Sequence, residues 1–197
     1  MTTTVIIQAR VGSSRLPGKV MMDLGGKPVI ARVIERCARI PSIDALWCAV
    51  PESEANAALA REAARRGAAV FCGSESNVLS RYYRTAKAAR ADVIVRITAD
   101  CPLLDPQVCG HVIALRQCEN AAYASNVWPR SFPQGLDCEV FTFAALERAH
   151  ANATAAADRE HVTPHMVRHE RRVSLPSGRF DLAARRWTLD YLEDLQF

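Results

Sequence analysis

Short apolar runs alternate with helix-length amphipathic segments along the first half of the chain. The runs at residues 5–7, 43–50 and 68–72 are typical of buried strands, and a helix-forming segment follows each of the first two. Strands joined by helices pair in parallel, because each helix returns the chain to the same end of the sheet. The alternation therefore predicts an α/β fold, a three-layer sandwich with a mostly parallel, Rossmann-like sheet and helices on both of its faces.

Start and stop signals mark the predicted helices. Pro28 stands in a first helical turn, where its missing N–H costs nothing, and Gly67 ends an Ala-rich segment at 54–66. Asp105 caps a helix that runs to about residue 117, shortly after an apolar strand at 93–97. Later strands are predicted at 122–124 and 136–141.

The composition is that of an ordinary globular protein. Hydrophobic residues make up 49% and charged residues 23% of the chain, and a length of 197 residues suits one domain spanning 1–197. No apolar run reaches the roughly 20 residues of a membrane-spanning helix, and the N-terminus lacks signal-peptide features, so we expect a cytoplasmic protein without membrane contact. The net charge of +4 arises from dispersed residues, which does not favour nucleic-acid binding.

Cysteine and histidine spacing does not predict a metal or redox site. Three histidines spaced by four residues from His161 would share a helical face, but Pro164 starts a fresh helix between them. The cysteines are odd in number and form no C-x-x-C pair, so we expect free, mostly buried thiols. They are Cys37, Cys48, Cys72, Cys101, Cys109, Cys118 and Cys138.

The segment 8–19, which follows the first strand, has the composition of an anion-binding loop. Its glycines let the backbone N–H groups approach a ligand closely, and its serines add hydroxyl donors. Arg10, Arg15 and Lys19 supply positive charge suited to a polyphosphate. A basic, solvated loop without a ligand is the alternative interpretation.

Two common phosphate motifs do not match this loop. A Walker loop has four residues between its glycines and Ser or Thr after Lys, whereas five residues separate Gly12 from Gly18 here and Val20 follows Lys19. The dinucleotide fingerprint G-x-G-x-x-G is absent. The loop instead resembles the A-R-x-G-S-x-R-L-P-G-K signature of the cytidylyltransferases that make CMP-activated sugar acids. The resemblance is to the spore coat polysaccharide branch, which is related to the CMP-Kdo and CMP-sialate synthetases, and it implies a nucleotide-diphospho-sugar transferase-like fold.

Asp100 follows the strand at 93–97 and should lie at the sheet edge where open α/β folds bind ligands. A hydrated Mg²⁺ bridging to nucleotide phosphates is a natural partner for it, and a structural Asp that caps a turn is the alternative. The surrounding T-A-D-C-P-L-L-D-P resembles a family segment whose first Asp binds the metal. A similar resemblance near the other end of the chain implies that Asp190 is the second metal-binding carboxylate, although Tyr191 and Leu192 replace the usual Thr-Pro.

The nucleoside is also expected to contact residues 73–82, which resemble the family's G-S-E-x-D-V-L-x-R-Y segment. Asn77 stands where Asp is commoner, and a capped helix start would explain the segment equally well. Through the resemblance, the nucleotide-binding residues are Ala9, Arg10, Gly12, Ser13, Arg15, Lys19, Gly73 and Arg81, and the catalytic residues are Arg10, Arg15, Lys19 and Asp100.

The acceptor site is the least defined part of the sequence. Alternation along the strand predicted at 136–141 places Asp137 and Glu139 on one face, which is either the solvent side of an edge strand or, by resemblance to the family's G-x-D-x-E-V-F, a sugar contact. Arg159 and His161 lie in a segment that resembles the family's E-R-E-H-V-T-P-Y and are further sugar-contact candidates.

Together these resemblances imply an enzyme that uses Mg²⁺ and transfers CMP from CTP to a sugar acid in cell-surface polysaccharide synthesis. A non-catalytic nucleotide-binding partner domain of a larger glycan-synthesis protein is the alternative. It is suggested by the residues after Asp190 and by a further helix that family members carry beyond this point. A basic nucleic-acid-binding domain is a third hypothesis. The family resemblance also admits a homodimer, with the irregular region 122–142 as its contact surface.

Overall fold

Seven strands form a single sheet in the order β3-β2-β1-β4-β6-β5-β7 in the computed structural model, which describes residues 1–178 and 181–196. In this part of the chain, β6 alone runs against the other strands. The strands are β1 (Thr3–Gln8), β2 (Ala45–Pro51), β3 (Ala69–Gly73), β4 (Val93–Thr98), β5 (Tyr123–Ser125), β6 (Glu139–Thr142) and β7 (Arg172–Ser174).

Helices cover both faces of the sheet. One face packs against α1, α2 and α4, and the other packs against α3, α5 and α7, with α6 lying against α3. The helices are α1 (Val29–Cys37), α2 (Ala57–Arg65), α3 (Val78–Ala88), α4 (Pro106–Cys118), α5 (Phe143–Asn152), α6 (Ala156–His161), α7 (Pro164–His169) and α8 (Leu192–Gln196).

The apolar run of β1 is buried from both sides. Val5 and Ile7 point into the layer with α1, Ile6 points into the layer with α3, and all three are fully buried. Each such side chain contributes about 1.5–3 kcal/mol of burial free energy. A strand covered on both faces therefore needs a continuous apolar run rather than an alternating one.

The connection order places a crevice at the carboxyl end of β1. This strand pairs with β2 on one side and β4 on the other, so that Gln8 lies opposite both Ala49 and Thr98. The strand order reverses between β1 and β4, because β2 and β3 lie on one side of β1 and β4 lies on the other. Open α/β sheets bind ligands at the carboxyl ends of the strands that flank such a reversal. The predicted α/β sandwich with a mostly parallel sheet is therefore confirmed, and so is the shared edge of the anion loop and Asp100.

The strand predicted at 136–141 is wrong in its first half, because β6 begins only at Glu139. The side chain of Asn126 takes the place of a neighbouring strand there. Its amide nitrogen donates to the carbonyl of Leu136 at 2.7 Å, and its oxygen accepts from the N–H of Cys138 at 2.9 Å. Two elements, α5 and β7, have no counterpart among the predicted elements.

All seven cysteines lie in the described part of the chain and are free thiols, five of them buried, as expected. Burial raises the pKa of Cys48 to about 12 and holds that of Cys37 well above its ordinary value. Among residues 1–178 and 181–196, no helix has both the length and the apolar character needed to cross a membrane.

Candidate active site

The loop that follows β1 is closed on itself by the carbonyl of Val11. This oxygen accepts from the N–H groups of Ser13 and Gly18, both at 2.9 Å, and the N–H of Val11 donates to the side chain of Asn56 at 3.0 Å. Asn56 is buried and also donates to the hydroxyl of Ser53 at 2.8 Å. Sequence reasoning missed Asn56, since its role depends on a contact across 45 residues.

A cavity of about 260 Å³ opens beside this loop at the carboxyl ends of β1 and β4. Three cationic side chains and two serines line it, so it suits a phosphate-bearing ligand. The lining residues are Gln8, Arg10, Ser13, Ser14, Arg15, Lys19, Val20, Thr98, Ala99 and Asp100.

Lys19 lies at the inner end of the loop, at the start of a short 3₁₀ turn (Lys19–Met21), and is only 7% exposed. Its Nζ donates to the carbonyl of Leu189 at 2.7 Å, to Asp190 Oδ1 at 2.9 Å and to Asp100 Oδ2 at 3.3 Å. Gly18, just before it, has a φ of +75°, which a side chain would disfavour. One ammonium group therefore joins the anion loop to both predicted metal-binding carboxylates.

The two acids are held in similar ways. Thr98 Oγ1 donates to Asp100 Oδ1 at 2.6 Å, and Thr188 Oγ1 donates to Asp190 Oδ2 at 3.1 Å. Each is a Thr-x-Asp segment in which the threonine binds one carboxylate oxygen and Lys19 binds the other. This arrangement fixes both carboxylates before a ligand arrives.

Asp190 lies in a strongly positive environment. Burial by itself would raise its pKa, but the hydrogen bond and charge of Lys19, with help from Arg15 and Thr188, hold the pKa below the ordinary value. Arg15 Nη2 lies 2.6 Å from Asp190 Oδ1. The ring of Tyr191 also lies 5.7 Å from the guanidinium of Arg15 and 5.5 Å from that of Arg186. Asp190 is therefore ionised, and Arg15 is held by two neighbours.

The segment that carries Asp190 is fixed to the loop before β6 by main-chain contacts. The N–H of Trp187 donates to the carbonyl of Gln134 at 2.6 Å, and the N–H of Gln134 donates to the carbonyl of Arg185 at 2.9 Å. Gly135 has a φ of +110°, and a Cβ there would lie 2.6 Å from the carbonyl carbon of Trp187. The close approach that positions Asp190 thus requires glycine, a role that the sequence pattern did not indicate.

Comparison with known proteins identifies the family. A model of the family described as "Cytidylyltransferase" matches residues 4–193. The chain belongs to the cytidylyltransferase family. Members of this family are nucleotidyltransferases.

Three relatives illustrate the family likeness of this chain. The spore coat polysaccharide biosynthesis protein SpsF of Bacillus subtilis is 30% identical over 97% of this chain and 82% of its own length. The uncharacterized protein MJ1063 of Methanocaldococcus jannaschii is 38% identical over 82% of this chain and 65% of its own. A 3-deoxy-manno-octulosonate cytidylyltransferase of Anaeromyxobacter dehalogenans is 38% identical over 55% of this chain and 45% of its own. The matches therefore span less than two thirds of the length of the last two relatives.

Solved structures share the fold. A cytidylyltransferase from Leptospira borgpetersenii superposes with a TM-score of 0.93 at 29% identity, covering 98% of this chain and 83% of the other. A CMP-Kdo synthetase solved with CTP superposes with a TM-score of 0.72 at 16% identity, covering 100% and 96% of the two chains. The first match extends the family likeness to the whole described fold, and the second concerns the fold alone.

Three other predicted nucleotide contacts, Ala9, Gly12 and Gly73, do not line the cavity. Ala9 is buried and its N–H donates to the carbonyl of Ala49 at 3.3 Å, and the carbonyl of Gly73 accepts the N–H of Glu52 at 2.8 Å. Gly12 is open, with a side-chain oxygen of Glu75 at 3.7 Å from the place of a Cβ. The structure assigns no ligand to these residues, and their roles stay predictions.

Arg81 is buried, does not line the cavity, and uses only some of its hydrogen-bond donors. Its Nη1 donates to the carbonyl of Ser74, whereas Nε and Nη2 have no hydrogen-bond partner in the described part of the chain. Burial lowers its pKa, and the charge of Arg10 nearby lowers it further. A buried guanidinium with unused donors fits a nucleotide contact, which remains the prediction for this residue.

The predicted sugar contacts are not brought together. Asp137 precedes β6, so only Glu139 of the two lies on a strand, and Asp137 forms a bidentate ion pair with Arg130 at 2.6 and 2.7 Å. Glu139 is 5% exposed, forms a part-buried ion pair with Arg96 and accepts from the hydroxyl of Tyr123 at 2.6 Å. Its carboxylate is already neutralised inside the protein.

Arg159 and His161 lie on α6, which packs against α3, and neither residue lines the cavity. His165 and His169 lie on the separate helix α7, with ring centroids 4.4 Å apart. As expected, Pro164 separates His161 from these two. Across the described ranges, no group of three or more His, Cys, Asp or Glu residues could hold a metal ion.

The donor set of Asp100 and Asp190 nevertheless fits Mg²⁺. This ion is usually held by one or two carboxylates, with substrate phosphates and water completing its octahedron. Both carboxylates have an oxygen within 3.3 Å of the Nζ of Lys19. A metal ion near the position of that nitrogen would therefore contact both carboxylates. Each oxygen also keeps lone-pair capacity beyond its present hydrogen bonds.

Proposed function

We propose that this chain is a Mg²⁺-dependent cytidylyltransferase that transfers CMP from CTP to a sugar acid and releases pyrophosphate, in cell-surface polysaccharide synthesis. The observation that carries the proposal is the cluster of Lys19, Asp100 and Asp190 at one end of a cavity lined by basic side chains. Nucleotidyl transfer needs both parts, because the triphosphate needs positive charge and its metal ion needs carboxylates. Family membership and the relative named 3-deoxy-manno-octulosonate cytidylyltransferase support the choice of CTP and a sugar acid.

The anion loop would hold the triphosphate. Arg10 and Arg15 lie on the cavity wall, and the hydroxyl of Ser13 and exposed loop N–H groups supply further donors. These groups would neutralise the negative charge that develops on the departing pyrophosphate. The carbonyl of Val11 and the side chain of Asn56 keep the loop in this shape before the ligand binds.

In the proposed reaction, a hydroxyl oxygen of the acceptor attacks the α-phosphorus of CTP. A new P–O bond forms, the bond from the α-phosphorus to the oxygen that bridges the α- and β-phosphates breaks, pyrophosphate leaves with that oxygen, and the hydroxyl proton is released. Asp100 and Asp190 would hold the divalent cation, which polarises the α-phosphate and lowers the pKa of a nearby hydroxyl. The protein needs no covalent nucleophile, because alignment and charge neutralisation supply the catalysis.

The acceptor contacts, the single domain over residues 1–197, the cytoplasmic location and a homodimer remain predictions. If Glu139 contacts the sugar, its ion pair with Arg96 must open, at the cost of uncovering a buried charge. The side chain of Asp137 is 31% exposed, so a hydrogen bond to a sugar hydroxyl could replace its ion pair with Arg130 more easily. Arg159 and His161 would need the acceptor to extend toward α6.

Pyrophosphate release tests the proposal directly. The protein is incubated with Mg²⁺, each of the four NTPs and a panel of sugar acids, including ulosonic acids. We expect release with CTP that depends on the acceptor and disappears in EDTA. CTP binding without release with every acceptor would instead support a non-catalytic nucleotide-binding domain.

A matched pair of lysine variants guards against a contaminating activity. Lys19→Ala should abolish most of the release, whereas Lys27→Ala should not change it. Lys27 lies outside the cavity, where its Nζ pairs with Glu35 at 2.5 Å. Equal activity in both variants would mean that the measured release does not come from this site.

A further inference from the structure

Lys19 is fully engaged before any substrate is present. An ammonium group has three N–H donors, and the Nζ of Lys19 has three acceptors inside the protein, the carbonyl of Leu189 and the carboxylates of Asp100 and Asp190. Its side chain is only 8% exposed. If Lys19 only bound phosphate, its Nζ would be expected to point into the cavity and to have N–H donors without a protein acceptor.

The ammonium stands between the two carboxylates that fit a divalent cation. Two carboxylates that face the same point repel each other unless a positive charge lies between them. The oxygens that bind Lys19 are those that the neighbouring threonines leave available. The position of Nζ is therefore the position that a shared cation would take.

We propose that Lys19 occupies the cation position in the nucleotide-free protein and leaves it when a triphosphate binds. The cation then enters with the nucleotide rather than before it. The identity of the nucleotide rests on the proposed function, but the competition between Lys19 and a cation does not.

The charges at the site support this exchange. Without a ligand, two carboxylates face the charges of Lys19 and Arg15, so the cluster is balanced and a cation must displace a buried, triply bonded ammonium. A triphosphate on the loop offers Lys19 a new and more strongly charged partner. Once Lys19 turns toward it, the two carboxylates are left without a shared counter-charge and their affinity for a divalent cation rises.

Thr98 and Thr188 act as positioning residues in this exchange. Each holds one oxygen of its aspartate, so the carboxylates do not collapse onto other partners when Lys19 moves. The hydrogen bond from the N–H of Leu189 to the carbonyl of Asp100, at 2.8 Å, keeps the two acids at a constant separation.

Mn²⁺ binding without nucleotide tests the proposal, since free aqueous Mn²⁺ is measured by its electron paramagnetic resonance signal. The full chain, Lys19→Met and Lys27→Met are titrated with MnCl₂ alone. We expect Lys19→Met to bind one Mn²⁺ about tenfold more tightly than the other two proteins. Equal affinity in all three proteins would overturn the proposal. This readout needs neither CTP nor an acceptor, so it is independent of whether the protein proves to be a cytidylyltransferase.

A second measurement covers the case in which Lys19→Met folds poorly because its acids repel. Circular dichroism melting curves are recorded with and without Mn²⁺. The ion should raise the Tm of Lys19→Met, or restore its folding, with little effect on the unaltered chain. A Lys19→Arg variant keeps a positive charge between the acids and should behave like the unaltered chain. If Mn²⁺ stabilised Lys19→Met no more than Lys19→Arg, the proposal would be wrong.

Discussion

The backbone N–H of Leu189 donates to the carbonyl oxygen of Asp100 at 2.8 Å, which joins the two acidic segments of the site. Asp100 follows a central strand, whereas Asp190 comes from an irregular segment with no strand of its own. This hydrogen bond positions Asp190, just as β4 positions Asp100. It fixes the carboxylate relative to the sheet and to Lys19.

Asp100→Asn should lower turnover by at least about a hundredfold, because one electrostatic contact at the reacting phosphate is worth about 3–4 kcal/mol. The fold should stay intact, since the Asp100 side chain is 30% exposed and Asn can accept the bond from Thr98. Asp105→Asn is the matched control. Asp105 caps α4 and Asn is an equally good cap. Pyrophosphate release and circular dichroism measure both effects, and normal turnover of Asp100→Asn would show that this carboxylate has no catalytic role.

Gly135→Ala should destabilise the protein and reduce its activity. The new Cβ would lie 2.6–2.9 Å from main-chain atoms of Trp187 and Thr188, so the segment that carries Asp190 must shift. Gly67→Ala is the control, because Gly67 has a φ of +89° with nothing within 4 Å of a Cβ. We expect a loss of about 1–2 kcal/mol from backbone strain alone in Gly67→Ala and a larger loss in Gly135→Ala. Urea unfolding measures the difference, and equal losses would argue against the close approach.

Glu139→Ala and Asp137→Ala should differ sharply in stability. Removing Glu139 leaves the guanidinium of Arg96, whose side chain is 16% exposed, without its counter-charge, which costs up to about 3–5 kcal/mol of the free energy of unfolding. Removing Asp137 breaks a more exposed pair with Arg130 and should cost about 1 kcal/mol or less. Chemical denaturation of the two variants gives the comparison. A small loss for Glu139→Ala, accompanied by weaker acceptor binding, would instead favour the sugar-contact role.

The free energy of unfolding should decrease at low pH, partly because Asp194 becomes protonated. Its pKa is held well below the ordinary value by the guanidinium of Arg186, at 2.6 and 2.7 Å, and by the N–H groups of Asp190 and Tyr191, at 2.8 Å each. A carboxyl with a lowered folded-state pKa stabilises the protein above its unfolded pKa of about 3.9, and this contribution is lost as the pH falls through the folded-state value.

Asp194→Asn should therefore weaken the fall of stability below about pH 4, where the unfolded chain takes up the proton first. Melting temperatures between pH 7 and pH 2.5 measure the slope for the two proteins. The difference in melting temperature between the two proteins should be largest near neutral pH and should decrease as the pH falls. A difference that stayed constant over this range would mean that Asp194 titrates normally.

Local patterns were sufficient for the parts of the site that lie next to strands. The apolar run of β1 and the Gly, Ser and Arg residues after it are contiguous, and so are β4 and Asp100, so strand order alone brings them to one edge. The family resemblance added Asp190, which no local pattern distinguishes from the other acids. These are the residues that the structure places around Lys19 and its cavity.

The remaining features depend on contacts between distant parts of the chain. Asn56 supports the anion loop from the start of α2, and Asn126 shortens β6 by binding its preceding residues. The alternating pattern around Glu139 is also typical of a surface acid, whereas in the structure its carboxylate pairs with Arg96 and is 7% exposed. Each is a side chain whose role is set by a neighbour that sequence spacing does not reveal.

The ion pair between Lys19 and Asp190 joins residues separated by 171 positions, so Lys19 is synthesised well before its partner. At about 5–20 residues per second, a ribosome adds Asp190 on the order of ten seconds or longer after Lys19. During that interval the anion loop lacks the segment that holds its lysine. The arrangement of Lys19 between its two acids therefore cannot form before Asp190 has been synthesised.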